Sequence, residues 1–232
     1  MSRDENNFKM FEKAPYALPD AKALLKAQTD GIKVQEKIFG PVFTTRLVSS
    51  AVEFASRKVG EKPANEVKTL DQLTSYLLSL TARYPTPYCA VMYAQHRVEW
   101  DLQGKGALGR VGDMGFERKF AEVQKVGGKI VDFDKIVSDL RSASVMMKLS
   151  PSEFGYRKNK YGGVDFVVPN CFYLDGCRQA LREGLLKRPD GRTQCDLGSS
   201  LCQFFKVATG SEYDYDLLEV HDPRCVITYY VM

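Results

Sequence analysis

Histidine and tryptophan are the scarcest residues of this 232-residue chain, which has two histidines and one tryptophan. It has no Cys-x-x-Cys pair, the spacing most typical of structural zinc sites. No stretch approaches the roughly 20 apolar residues that a membrane-spanning helix needs. The first residues, MSRDENNFKMFEK, lack the apolar segment of a signal peptide. The sequence therefore predicts a cytoplasmic protein without a membrane span.

Charge of one sign is not concentrated anywhere in the chain. The net charge is +4 without a long basic run, so the charge balance does not indicate nucleic-acid binding. The hydrophobic share of 44% and charged share of 27% are ordinary for a globular protein. The six cysteines are too few for a disulfide scaffold in a chain of this length, so we interpret them as thiols or metal ligands.

The predicted domain organisation is an N-terminal extension over residues 1–38 and one α+β domain over residues 39–232. The extension is polar, contains Pro15 and Pro19, and has one short predicted helix over residues 21–28. It is interpreted as either a flexible arm or a segment that contacts a partner. Within the domain we expect helices packed against an antiparallel sheet.

Apolar spacing and turn signals place the elements of that domain. Helices are predicted over residues 42–59, 116–126, 135–143, 174–186 and 195–207, and another begins at Thr69, whose capping box is completed by Gln72. Strands are predicted over residues 89–93, 98–102, 129–133, 164–168, 213–220 and 225–231. Residues 104–109 match the letters of a dinucleotide fingerprint, but no βαβ unit surrounds them. They predict a glycine-rich loop beside a pocket instead.

The C-terminal tail, residues 195–232, carries the sharpest candidate site. Cys195 opens a predicted helix, and residues 221–224 (His-Asp-Pro-Arg) form a turn between the last two strands. That turn brings Glu219, His221 and Cys225 close together. Thiolate, imidazole and carboxylate are the ligands that zinc prefers in proteins. The bland alternative is a hairpin with buried thiols and a solvated His221.

This tail resembles the end of the 4-vinyl reductase domain, a small-molecule-binding relative of transport protein particle subunits. The resemblance rests on a series of residues in family order: Cys195, Gly210, Glu219, Asp222-Pro223 and Cys225. The family's middle cysteine is missing and the turn is shorter, which leaves His221 as the nearby substitute. The resemblance implies a homodimer that binds a small hydrophobic or aromatic molecule. It also implies a closed, structural zinc shell of Cys195, Glu219, His221 and Cys225.

In this interpretation, residues of the central region line an apolar pocket. The candidates for ligand binding are Tyr93, His96, Trp100, Phe116 and Phe120. His96 adjoins a predicted turn, where a solvated histidine is the alternative. Trp100 and the other aromatic residues are equally compatible with an ordinary core.

Two other functions remain open at this point. Residues 166–171, followed by Cys195 and Asp196, resemble the family of L-2-amino-thiazoline-4-carboxylic acid hydrolases. That resemblance implies a hydrolase of a small cyclic amide or thiazoline, with Cys195 or Cys171 as nucleophile and Asp196 as helix cap or base. A helix N-terminus lowers the pKa of a thiol, which favours Cys195. The last alternative is an assembly protein similar to the tethering subunits, without catalysis.

Overall fold

The computed structural model describes residues 8–10, 20–104, 155–168, 171, 173–220 and 224–232. These residues form strands β1 (Lys9–Met10), β2 (Gly155–Lys158), β3 (Val164–Val168), β4 (Tyr213–Glu219) and β5 (Cys225–Val231). They also form helices α1 (Ala21–Phe39), α2 (Pro41–Val59), α3 (Leu70–Ser79), α4 (Tyr88–Gln103), α5 (Leu174–Arg182) and α6 (Asp196–Thr209). The predicted α+β class is confirmed. The elements predicted over residues 116–126, 129–133 and 135–143 lie outside the described residues.

The strands make one antiparallel sheet in the order β1-β2-β3-β5-β4. Strand β5 lies between β3 and β4, so the last strand of the chain is paired on both sides. In its register Tyr229 lies opposite Val164 of β3 and Tyr215 of β4. The β4 and β5 strands form the hairpin that the tail sequence predicts, with β4 ending at Glu219.

Helix α6 packs on one face of this sheet. Successive strand residues point to opposite faces, so Phe166, Ile227 and Tyr229 share a core with Phe204 and Phe205 of α6. The ring of Tyr229 meets those of Phe205 and Phe166 edge-on, at centroid distances of 5.1 and 6.1 Å. Such edge contacts add to the stabilisation from the apolar area that the rings bury. The opposite face of the sheet carries polar residues, among them Asp165 and Thr228.

Helices α1 to α5 form a second compact unit, which we call the helical unit; the strands and α6 form the sheet unit. The predicted capping box of α3 is confirmed, because Gln72 N donates to Thr69 and Gln72 Oε1 accepts from the Thr69 amide. Helix α1 extends to Phe39 and buries Leu24, Leu25 and Ile32. Residue 38, the predicted end of the extension, is the last but one residue of this helix, and the domain organisation stays a prediction.

The prediction of two strands over residues 89–93 and 98–102 is wrong, since both segments belong to α4. The physical reason is burial on nearly every side: residues 88–94 are all buried, so the helix lacks the apolar stripe that reveals a helical period. β-branched and aromatic residues then imitate a strand pattern. The intervening segment Ala94-Gln95-His96-Arg97 contains no turn residue and continues the helix.

Within the described ranges, no helix has both the length and the apolar character required to cross a bilayer.

Candidate functional site

Cys195 occupies the N-cap of α6, as the sequence predicts for a cysteine at a helix start. Its backbone is extended, and its Sγ accepts a hydrogen bond from Gly198 N at 3.4 Å. The Cys195 carbonyl accepts from Ser199 N at 2.8 Å, which closes the first turn of the helix. A thiol therefore takes the place that serine, threonine or aspartate usually fills.

Tyr215 of β4 fixes the position of Cys195. Its Oη accepts a hydrogen bond from Cys195 N at 3.0 Å and lies 3.3 Å from the Cys195 carbonyl oxygen, to which it donates. Its ring lies against Gly198, where an added Cβ would come within 2.6 Å of a ring carbon. Only glycine fits there without displacing Tyr215. Sequence reasoning missed Tyr215, because no local spacing connects it to Cys195.

Cys225 and Cys171 pack on the same buried cluster as Cys195. Cys225 begins β5, is only 5% exposed, and lies opposite Val168 at the end of β3. Cys171 follows Val168 by three residues and is half-buried. The structure thus brings all three predicted site cysteines, Cys171, Cys195 and Cys225, to one hydrophobic cluster.

The environment of Cys195 keeps its thiol protonated. Burial raises its pKa to about 12; the hydrogen bond from Gly198 acts in the opposite direction, and the nearby Asp196 and Cys225 raise it further. Asp196 therefore opposes ionisation of the thiol through its charge. An activated nucleophile needs a lowered pKa, so the thiol on its own is not poised for attack at neutral pH. A bound metal ion would reverse this balance, because thiolate is the form that binds metals.

Glu219 lies at the end of β4, and its register partner is Val226, next to Cys225. Its carboxylate accepts a hydrogen bond from Arg224 Nε at 3.1 Å. His221, the remaining predicted ligand, lies outside the described residues. Across the described residues, no three histidine, cysteine or acidic side chains are grouped closely enough to form a metal shell.

Tyr229 places an unsatisfied hydroxyl in this cluster. The residue is fully buried, and within the described part of the chain its Oη has no hydrogen-bond partner. Burial, followed by the proximity of Cys202, Cys195 and Tyr215, raises its pKa well above the ordinary value. A buried hydroxyl without a hydrogen-bond partner lowers the stability of a protein by about 1–3 kcal/mol, so such a group is a candidate for a functional role.

Two arginines attach the segment preceding Cys195 to β4. Arg188 Nη1 donates to the Tyr215 carbonyl at 3.1 Å, and its guanidinium lies 5.1 Å from the Tyr215 ring centroid. Arg192 forms ion pairs with Asp190, Asp214 and Asp216. This arginine network holds residues 187–193 beside the strand that carries Tyr215.

The predicted ligand-binding residues that the structure describes lie on α4, in the helical unit. Tyr93, His96 and Trp100 are spaced i, i+3 and i+7, which places them on one helix face. Tyr93 stacks on Phe54 at 4.5 Å and donates from Oη to Glu183 at 2.7 Å. His96 is 1% exposed, which excludes the solvated alternative, whereas Trp100 is half-buried. Phe116 and Phe120 lie outside the described residues.

Sequence reasoning also missed Glu99, which is as deeply buried as His96 and follows it by three residues. Gln95 Nε2 donates to Glu99 Oε1 at 3.0 Å. Buried titratable residues are rare unless they are paired, and they cluster at functional sites. The His-x-x-Glu spacing at residues 96–99 was the available signal, once the segment is recognised as a helix.

Comparisons with protein-family models, with curated proteins and with solved structures each return no match for this chain.

Proposed function

We propose that this chain is a small-molecule-binding domain similar to the 4-vinyl reductase family, with a structural zinc ion near its C-terminal hairpin. The observation that carries the proposal is the meeting of Cys195 and Cys225 on one buried cluster, one at a helix N-cap and the other at a strand start. They come from elements that are distant in sequence. A zinc ion bound by both thiolates would tie α6 to β5.

Two of the four proposed ligands support a zinc site directly. Cys195 and Cys225 are the thiol ligands that zinc favours, and His221 is the candidate imidazole. The buried Tyr229 hydroxyl is a donor available to a thiolate, as an outer-shell partner of a metal site would be. Glu219 fits less well because its carboxylate already pairs with Arg224. We therefore add Cys171 as the alternative fourth ligand.

The test is the zinc content of protein purified without chelator or a nickel column, measured by elemental mass spectrometry. We expect about one zinc per chain, lost in Cys195→Ser and in Cys225→Ser, because two thiolates supply most of the affinity. Cys177→Ser, which changes a half-buried thiol of the helical unit, is the matched control and should retain the metal.

Glu219→Gln and Cys171→Ser identify the fourth ligand, since only the true one should lower the zinc content. A wild-type protein that binds no zinc, even when zinc is supplied during refolding, would contradict the metal proposal. The hydrolase function and the assembly-subunit function stay predictions. The homodimer is a separate prediction, which sedimentation equilibrium would test.

For the ligand, we propose a small hydrophobic or aromatic molecule that contacts the α4 face of Tyr93, His96 and Trp100. The support is the composition of this face, where aromatic rings adjoin two buried polar side chains, His96 and Glu99. Apolar walls with a few convergent polar groups are typical of small-molecule sites.

Trp100 is the only tryptophan and reports binding directly. We expect saturable quenching of its fluorescence by 2-naphthol, and about tenfold weaker binding in His96→Leu if the imidazole hydrogen-bonds the hydroxyl. Leu102→Ala, at a 40% exposed position of the same helix, should leave the titration unchanged. Linear, non-saturating quenching equal to that of free tryptophan amide would contradict the proposal.

A further inference from the structure

A groove lined by charged and apolar side chains lies on the sheet face opposite α6, away from the thiol cluster. Its volume is about 820 Å³, within the range of small-molecule sites. Strand alternation explains its position: Tyr229 faces α6, so its neighbours Thr228 and Tyr230 line the groove. All of its lining residues belong to the sheet unit. The thiol proposal makes no use of this groove.

Arg157 is the groove cation that is held by a carboxylate of the sheet. Its Nε donates to Asp165 Oδ2 at 2.9 Å, and its guanidinium lies 4.5 Å from the centroid of the Phe8 ring. Asp165 is fixed in turn by Thr228 Oγ1, which donates to Oδ1 at 2.6 Å, and by Asn159 Nδ2 at 3.2 Å. The plane of the guanidinium is therefore set before any ligand arrives.

The outer nitrogens of that guanidinium are available to a ligand. In the part of the chain that the structure describes, Nη1 and Nη2 of Arg157 have no hydrogen-bond partner, and its side chain is 35% exposed. These nitrogens form the fork that binds the two oxygens of a carboxylate or phosphate. A pre-oriented fork loses less conformational freedom on binding than a mobile lysine.

The remaining charges of the groove favour an anion. Lys158 and Lys160 line it and form no ion pair with any described residue; Lys160 Nζ lies 5.0 Å from the Tyr161 ring centroid. Both lining carboxylates have a cation partner: Asp165 pairs with Arg157, and Asp216 accepts from Arg192 at 2.9 Å, although Arg192 also pairs with Asp190 and Asp214. Three cations against two carboxylates leave the lining with a net positive charge.

Apolar surface adjoins these cations. Tyr161, Leu218 and Val231 line the groove with 57%, 59% and 42% of their surfaces exposed. We propose that this groove is a second binding site, which takes a small organic anion whose carboxylate or phosphate binds Arg157 and whose aromatic or aliphatic body covers the apolar rim.

Isothermal titration calorimetry with phenyl phosphate, benzoate and inorganic phosphate tests the site. We expect phenyl phosphate or benzoate to bind at least tenfold more tightly than inorganic phosphate, because only these probes carry an apolar body. Whichever of the two binds more tightly identifies the head group. Arg157→Lys keeps the charge but loses the fork, and about a tenfold loss of affinity is expected.

Two further variants separate a specific contribution of the groove lysine from a general effect of net charge. Lys160→Gln changes an exposed side chain, so the fold should persist while affinity falls about threefold; Lys62→Gln removes an equal charge in the helical unit and should have no effect. Failure of all three probes to bind wild type, or equal losses in Lys160→Gln and Lys62→Gln, would overturn the proposal. Loss of binding in Cys225→Ser, with the far-UV circular dichroism spectrum and the urea midpoint unchanged, would assign the anion to the metal instead, which also overturns it. Because zinc content is measured in a separate experiment, a negative result for the anion groove leaves the zinc proposal untouched, and the reverse also holds.

Discussion

Gly163→Ala is expected to destabilise the sheet unit by about 3 kcal/mol or more, the upper range for overpacking. A Cβ at this position would lie 2.0 Å from the Tyr229 carbonyl oxygen and 2.7 Å from its carbonyl carbon. Both atoms belong to the backbone of β5, so no side-chain rotation relieves the clash. Strands β3 and β5 would have to separate where Val164 pairs with Tyr229. Urea denaturation followed by far-UV circular dichroism measures the loss.

Gly162→Ala is the matched control, one residue away. Gly162 has a φ of +73°, and nothing lies within 4 Å of the position that a Cβ would occupy, so alanine there meets backbone strain without a clash. The expected cost is about 1 kcal/mol. Equal destabilisation by the two variants would show that the close approach of Gly163 to β5 is not what requires glycine.

The parts of the fold that the sequence predicts are those whose signal is local. The capping box at Thr69 and Gln72 involves residues three apart, and the hairpin of β4 and β5 follows from turn residues between two β-rich segments. Helix α4 is not predicted from the sequence, because its burial on nearly all sides removes the apolar periodicity by which a helix is recognised.

The candidate sites depend on contacts between distant residues, and there the sequence is less informative. It identifies Cys195 and Cys225 by residue type, but not Tyr215, whose hydroxyl holds Cys195 from 20 residues away. Nor does local spacing mark residues 157–160 as a site, because β2 has only four residues and two of them are charged. Only the register that sets Arg157 opposite Asp165 turns that basic segment into a candidate anion site.

Acid is expected to weaken the arginine network that supports Cys195, through protonation of Asp214. Burial raises the pKa of this carboxyl, but hydrogen bonds from Arg188, from the Tyr215 amide and from Arg192 outweigh it and lower the pKa to about 2. An unfolded aspartate has a pKa near 3.9, so the unfolded chain binds the proton first as the pH falls. The stabilisation is therefore complete above about pH 5 and is lost as the pH falls towards 2.

The size of this effect follows from the shift. A lowering of nearly two units corresponds to about 2 kcal/mol, and the Asp214 side chain is only 17% exposed, so solvent screens it weakly. In urea denaturation, Asp214→Asn should cost about 2 kcal/mol at pH 6 relative to wild type and much less at pH 2.5, where wild type has lost most of the same interaction.

Asp71→Asn is the matched control, because that carboxylate is 91% exposed and its nearest cation, Lys33, is 3.6 Å away. Its difference from wild type should stay below about 1 kcal/mol at both pH values, because an exposed pair contributes little and the charge adds only a first-turn interaction with the α3 dipole. A difference for Asp214→Asn that does not shrink with acid would mean that the carboxylate acts through packing rather than charge.

Since Arg188 and Arg192 also hold the Tyr215 carbonyl, loss of the charge at Asp214 should loosen the strand that positions Cys195. Zinc retention in Asp214→Asn at pH 6 then measures how far the metal site depends on this network.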